Sequence, residues 1–221
     1  MIEHQFKRAR LFRFGAAREP LLAQLGVGQP LPHRLWRCVE IALQAPNGSN
    51  LNTWRFVAVD DRDTIARMAD IYRGAMNDYV ESLGEAVGGR YAGAAMPGFD
   101  SIDASVRYLR DNLHRVPVLV LPLLAGRLEN AGVFQQASQW GSVIQASWSF
   151  MLALRARGLG SSWTTVHLCR EREMATLLGI PSHYTQVALF PVAYTVGIGF
   201  RPAWRRPVDE ALGWNGFEMK R

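Results

Sequence analysis

Cysteine is nearly absent: the chain has two, Cys38 and Cys169, in 221 residues. They form no C-x-x-C pair and have no histidine at ligand spacing. A disulfide framework and a zinc site are therefore not expected, and both residues read as buried, reduced thiols. Lysine is as scarce: Lys7 and Lys220 are the only two among the 25 basic residues, and the rest are arginine. Long apolar runs are missing as well. No stretch reaches the roughly 18 uncharged residues of a membrane helix, and the basic N-terminus has no apolar core of a signal peptide. These absences point to a cytoplasmic protein with no membrane partner.

What is present is arginine, and with it a net charge of +6. A guanidinium is planar, always charged and suited to paired contacts with phosphate and carboxylate. The arginines are scattered, with no run of five and no interleaved aromatics, so nucleic acid is not the expected partner. A small phosphate-bearing ligand fits this pattern better. The length suits one domain, 1–221, able to bury a core.

Periodicity lays out the elements. Residues 32–43 place Leu35, Cys38, Val39, Ala42 and Leu43 at helical spacing, and 55–59 alternate into a short strand. A helix over 62–72 aligns Ile65, Met68, Ala69 and Tyr72. Residues 74–100 then turn rich in glycine and alanine, with Gly88-Gly89 and Met96-Pro97-Gly98. The span 74–105 is expected to be a lid or insertion near the site. Residues 116–124 are apolar throughout, a buried central strand whose ends or irregularities Pro117 and Pro122 mark.

The longest helix is expected over 134–157. One stripe holds Ala137, Trp140, Gly141, Ile144, Trp148, Met151 and Leu152; a second holds Val143, Ala146, Phe150 and Leu154. A helix apolar over so much of its circumference is buried on several sides, within a core or against a second subunit. Arg155, Arg157 and Gly158 supply the stop. Strands are expected over 161–166 and 187–196, with a helix over 171–178 between them. From 199 to 221 the chain is rich in Arg, Pro and Trp and has no core of its own, so it needs another surface to lie on.

The segment Ala45-Pro46-Asn47-Gly48-Ser49-Asn50-Leu51-Asn52-Thr53-Trp54 joins the first helix to the first strand. Pro46 ends the helix, since its ring clashes with the preceding turn and it lacks an N–H. Gly48 lets the backbone approach whatever the loop holds. Asn and Ser side chains supply both donors and acceptors, which suits a heteroaromatic edge or a chain of hydroxyls better than a metal. Alone, an Asx-rich connection is more often just a turn.

Order along the chain gives it more meaning. The loop is followed by a long helix ending Arg157-Gly158-Leu159-Gly160-Ser161-Ser162-Trp163-Thr164-Thr165, then by Leu177-Leu178-Gly179-Ile180-Pro181. A strand over 187–197 broken by Pro191 comes next, and Arg205-Arg206-Pro207 leads to Trp214-Asn215. Together these pieces resemble the FMN-dependent NAD(P)H nitroreductase family over residues 32–217. The resemblance implies an α+β fold, a mostly antiparallel sheet sandwiched by helices, built as an intertwined homodimer. It also implies two FMN sites at the interface, with 199–221 wrapping the partner subunit.

Carried over by position, the family's flavin-contacting loop falls on Asn47, Ser49, Asn50 and Asn52. The backbone facing the flavin N5 edge falls on Trp163, Thr164, Thr165 and Val166, and the phosphate-binding arginine on Arg205, with Arg206 beside it. Without the resemblance, Trp163 would read as core, Thr164-Thr165 as ordinary strand and the two arginines as a solvated pair. His167 and His183 are assigned no chemistry, and no protein acid or base is named because the flavin carries the reaction.

The N-terminus departs from the family. Its Arg-Ser-x-Arg-x-Phe pattern is approached by Lys7-Arg8-Ala9-Arg10-Leu11-Phe12, which lies about a dozen residues too early, and by Arg18-Glu19-Pro20, which keeps one arginine. Either Arg10 reaches in from an insertion, or flavin is held more loosely than in relatives. The first functional reading is an oxidoreductase passing hydride from NAD(P)H through FMN to a nitroaromatic or quinone type of acceptor, with ping-pong kinetics. The second is a flavin-binding protein with little turnover.

Overall fold

The computed structural model of the chain describes residues 31–90, 99–195 and 202–217. The sheet is built around β2 (Val118–Ala125), in which every residue but the last is buried. A strand without a polar face must be covered on both sides. Along one edge it pairs antiparallel with β1 (Trp54–Val59), from Trp54 opposite Leu124 to Val59 opposite Leu119. Along the other edge run β4 (Tyr184–Gln186) and β5 (Phe190–Tyr194), both antiparallel. Outside β5 lies β3 (Leu159–Ser161), so the sheet reads β1-β2-β5-β3 with β4 also on β2.

Two prolines account for the irregularities of this sheet. Leu123 faces Gln186 and Val120 faces Phe190, so three steps on β2 match four on its neighbour. The extra residue is a bulge between β4 and β5. Pro122 sits opposite it: its carbonyl accepts from the Val187 N–H at 3.0 Å, and the donor it lacks faces the same side. The single strand expected over 187–196 is therefore two strands and a bulge. Pro191 acts on the outer pair. Thr164 and Leu189 exchange both backbone bonds, at 3.2 and 2.8 Å. Alternation then puts Pro191 across from Ser162 with no donor to give, and the strand expected over 161–166 is interrupted after Ser161.

Helices cover both faces. On one lie α1 (Leu31–Ala42) and α4 (Val133–Arg155), where Leu35, Cys38, Phe150 and Leu154 pack on Val118, Val120, Phe190 and Val192. On the other lie α2 (Arg62–Arg90), α3 (Phe99–Asn112) and α5 (Glu171–Leu178). There Ile65, Met68, Tyr72, Met76 and Met174 meet Leu119, Leu121, Leu123 and Leu189. Odd and even residues of β2 thus serve opposite layers, as the two-residue repeat of a strand requires.

Some expectations are corrected. The helix expected to end near Tyr72 runs on to Arg90, because Ala75 and Met76 continue its buried stripe. Of the expected lid, 91–98 lies outside the described residues. On α4, Val143, Ala146, Phe150 and Leu154 are the buried stripe, whereas Ile144, Trp148 and Leu152 are 44%, 57% and 52% exposed. Cys38 is buried, but Cys169 is exposed: the short 3-10 turn Val166–Arg170 buries His167 and turns Cys169 outward.

Candidate functional site

The loop at 47–52 is held from beneath by α4. The Gly48 N–H donates to Ser142 Oγ at 2.9 Å, Ser142 Oγ donates to the Ser138 carbonyl at 2.6 Å, and Thr53 Oγ1 bonds Gln139 Oε1 at 3.0 Å. A Cβ on Gly48 would overlap the Ser138 hydroxyl. The room that glycine makes is filled by α4, not by a ligand as its sequence context suggested. Within the loop, the Asn52 N–H donates to Asn47 Oδ1 at 2.9 Å and Asn52 Nδ2 to the Asn50 carbonyl at 2.8 Å. Asn47 Nδ2 lies 3.4 Å from both Asn50 Oδ1 and Asn52 Oδ1. Those longer contacts are weak and readily exchanged for another partner.

Ser49, Asn50 and Asn52 have φ of 52°, 54° and 52°, the left-handed region that Asn tolerates better than most residues. All three are exposed, and Asn47 is half-buried among them. The loop therefore offers a cluster of outward amide and hydroxyl groups on a fixed base. Ser138, Gln139 and Ser142 are not among the residues that the motifs single out. Their signal is polarity inside an otherwise apolar helix.

The second group lies at the far edge of the sheet. Trp163 is 37% exposed, with its ring centroid 5.1 Å from that of Phe190. Thr164 is fixed on both sides, by its backbone to Leu189 and by Oγ1 to the Tyr72 hydroxyl at 2.9 Å. Val166 packs on the α2-side core and Thr165 is exposed. The N–H groups of Trp163 and Thr165 have no acceptor among the described residues. Alternation aims them away from Leu189, outward from the sheet edge, where unpaired donors can meet a ligand.

Below this edge, charge is organised on α2 and α5. Arg170 lies across Gly74 and grips Asp78 with two bonds of 2.6 and 3.0 Å, which hold the Asp78 carboxyl below its ordinary range. A Cβ on Gly74 would stand 2.6 Å from the Arg170 Cζ. Arg127 bonds Glu171 at 2.8 and 3.0 Å, the Tyr184 carbonyl at 3.0 Å, and Glu129. It thereby ties the start of α5 to the sheet and lowers the Glu171 pKa. His167 is fully buried with neither ring nitrogen hydrogen-bonded, and burial pushes its pKa down to about 4 against a smaller opposing pull from Glu171.

The third group stands apart. Residues 202–217 are exposed throughout, and among the described residues Arg205 donates to the Trp204 carbonyl alone, at 2.7 Å. The structure does not bring Arg205 or Arg206 to either of the other groups. Lys7, Arg10 and Arg18 lie outside the described residues. Nor do the loop and the 163–166 edge meet. The loop enters β1 and the edge leaves β3, on opposite sides of the sheet, so about three strand spacings, roughly 14 Å, lie between them. Among the described residues no His, Cys, Asp or Glu cluster could hold a metal, and no helix is long and apolar enough to cross a membrane.

Comparison with known proteins bears on this arrangement. The model of the nitroreductase family matches residues 31–194. The chain belongs to the nitroreductase family. Solved structures share the fold of this nitroreductase-family chain along nearly its whole length. Iodotyrosine deiodinase bound to FMN and 3-iodo-L-tyrosine is 22% identical, covers 94% of this chain and 95% of its own, and has a TM-score of 0.63. A BluB-like flavoprotein from Clostridium difficile 630 is 18% identical, with 97% and 98% covered and a TM-score of 0.63. The FMN and NADPH-dependent nitroreductase NfnB from sphigopyxis sp. strain HMH is 18% identical, with 95% and 97% covered and a TM-score of 0.57. The α+β fold with an antiparallel sheet between helices is thus that of the nitroreductases.

Proposed function

We propose that this nitroreductase-family protein holds FMN and passes hydride from NAD(P)H to an electron-poor acceptor of the nitroaromatic or quinone type. The observation that carries the reading is the pair of outward N–H groups at Trp163 and Thr165, without an acceptor among the described residues, flanking a Thr164 locked to Leu189. Rigid donors at an open sheet edge suit the polar edge of a redox-active ring, because they need no rearrangement as charge develops there. When bound, FMN supplies the hydride-accepting and hydride-donating chemistry at its N5, serving donor and acceptor in turn.

The residues present fit that group. Asn50, Asn52 and Ser49 present donors and acceptors for ring oxygens or ribityl hydroxyls, with Asn47 bracing them. Arg205 and Arg206 are exposed guanidiniums for the phosphate. The roughly 14 Å between loop and edge favours a site shared by two subunits, the loop of one facing the 163–166 edge of the other. The exposed Ile144, Trp148 and Leu152 of α4 and the fully exposed tail give such a homodimer apolar surface to bury. The chain's own work is to bind, orient and exclude water, and no side chain is assigned a proton.

The test is anaerobic mixing of FMN-loaded protein with NADH or NADPH while following the visible absorption of the oxidised flavin. Rapid bleaching by either donor, reversed on adding a nitroaromatic or quinone, is the expected result. Retained flavin that neither donor bleaches would identify a flavin-holding protein instead.

A further inference from the structure

We infer that Tyr72 is a positioning residue for the ligand-facing edge at 163–166, acting through the hydroxyl of Thr164; the inference rests on the flavin reading above. Tyr72 stands on α2 in a stripe whose other members, Ile65, Met68, Ala69 and Met76, are apolar. Packing there calls for a ring, not a hydroxyl. Buried 92 residues away in sequence from its partner, the hydroxyl meets Thr164 Oγ1 at 2.9 Å. A buried hydroxyl without a partner is costly, so α2 and Thr164 are tied to one relative position.

Within 163–166, Thr164 bridges to Leu189, the residue just before β5, which uses both its N–H and its C=O. With Oγ1 taken by Tyr72, the residue is held in the sheet plane and perpendicular to it at once. The Thr165 N–H is fixed in consequence, since it shares a rigid peptide plane with the Thr164 carbonyl that Leu189 holds. The Trp163 N–H lies one residue further back, on the other side of the Trp163 carbonyl that shares the Thr164 N–H plane. Six residues on, Arg170 crosses Gly74 to Asp78. The same helix therefore grips the segment at both ends, through Tyr72 and Asp78. Burial raises the Tyr72 pKa, which keeps the phenol neutral and able to donate or accept.

Four single variants, one double variant and three readouts test this. In flavin-free protein, Tyr72→Phe should speed amide hydrogen exchange at Thr164 and Leu189, and Thr164→Val should do the same with no further gain in the double variant. In FMN-loaded protein, Tyr72→Phe should weaken FMN retention about three- to tenfold, the scale of one buried hydrogen bond, and should shift the flavin midpoint potential. Thr164→Ser, which keeps the hydroxyl, should lose less than Thr164→Val. Ile65→Val, on the same buried stripe, supplies a control of pure packing loss and should leave the potential unchanged.

A Tyr72→Phe protein with unaltered exchange at Thr164 and Leu189 overturns the clamp. Faster exchange with an unaltered potential and FMN affinity overturns its bearing on the ligand. Wild-type protein that fails to hold FMN overturns the flavin reading itself, and the exchange result then still decides whether Tyr72 fixes the edge.

Discussion

The amide of Gly48 and the hydroxyl of Ser142 meet at 2.9 Å across 94 residues of sequence. That bond seats the 47–52 loop on α4 and requires the backbone to lie where a side chain would strike Ser138. Gly48→Ala should push the Ser138 hydroxyl aside and lower stability by about 1 kcal/mol, a fall in melting temperature of about 2–4 °C at this chain length. Ser138→Ala removes the obstructing atom, so the double variant should regain most of the loss. Thermal unfolding of the four proteins checks it; equal losses with and without the Ser138 hydroxyl would remove the steric account.

Gly74 gives the opposite lesson on a helix. In mid-helix, glycine is normally worse than alanine by about 1 kcal/mol, yet here a Cβ would meet the Arg170 guanidinium on its way to Asp78. Gly74→Ala in the wild-type background should bring little or no stabilisation, because Arg170 must leave its bidentate seat. In an Arg170→Ala background the same change should stabilise by about 1 kcal/mol. Denaturant midpoints for the double-mutant cycle decide the matter, and a gain of equal size in both backgrounds would show that the guanidinium does not matter.

His167 sets a pH dependence. Its folded pKa is about 4 against an ordinary 6.5, so between those values the unfolded chain binds a proton that the folded chain refuses. Stability from this group is complete above about pH 6.5, declines as pH falls and is exhausted below about pH 4. From pH 7 to pH 5 the loss should be roughly 2 kcal/mol. The Glu171 carboxyl, held low by Arg127, contributes its own loss only at more acidic pH. Urea unfolding of wild type and His167→Phe at the two pH values is the measurement: the variant should show the smaller difference, and matching slopes would put the effect elsewhere.

How much of this was legible beforehand depends on range. The helix at 171–178 coincides with α5 and the strand at 55–59 falls within β1, because both are read from neighbouring residues alone. For α4 the sequence showed apolar residues all round, but not that Phe150 faces the sheet while Trp148 faces out. Both stripes look alike until the sheet is in place. The interruption at Ser162 comes from Pro191, on a different strand, and the Tyr72 hydroxyl finds Thr164 only after the fold has formed. Pair interactions across such distances leave no periodic trace.

The candidate ligand residues answer to separate tests. Asn50 has a φ of 54°, so Asn50→Gly removes the amide while keeping the backbone conformation accessible. It should weaken FMN retention and alter the visible flavin spectrum without lowering the melting temperature by more than a degree or two. Arg205→Ala removes an exposed guanidinium and should cost about tenfold or more in FMN affinity, the scale of a charge-assisted bond to phosphate. Titrating FMN by fluorescence into each variant checks both. Unchanged affinity at Arg205→Ala would take the phosphate away from the tail.

The outward face of α4 carries the last prediction. Ile144, Trp148 and Leu152 follow one another at steps of four, all exposed, and in the tail Trp204, Leu212 and Phe217 are exposed too. An apolar stripe on that scale is a surface for a partner, and the roughly 14 Å between loop and edge gives a second copy a reason to be that partner. Trp148→Glu places an unpaired charge in the centre of the stripe. The variant should remain folded, since Trp148 is 57% exposed in the single subunit, yet sediment as a monomer where wild type sediments as a dimer. It should also lose FMN, if loop and edge come from different subunits. A monomeric variant that still holds FMN would place the whole site within one chain, and a wild-type monomer would leave the apolar stripe to a different partner.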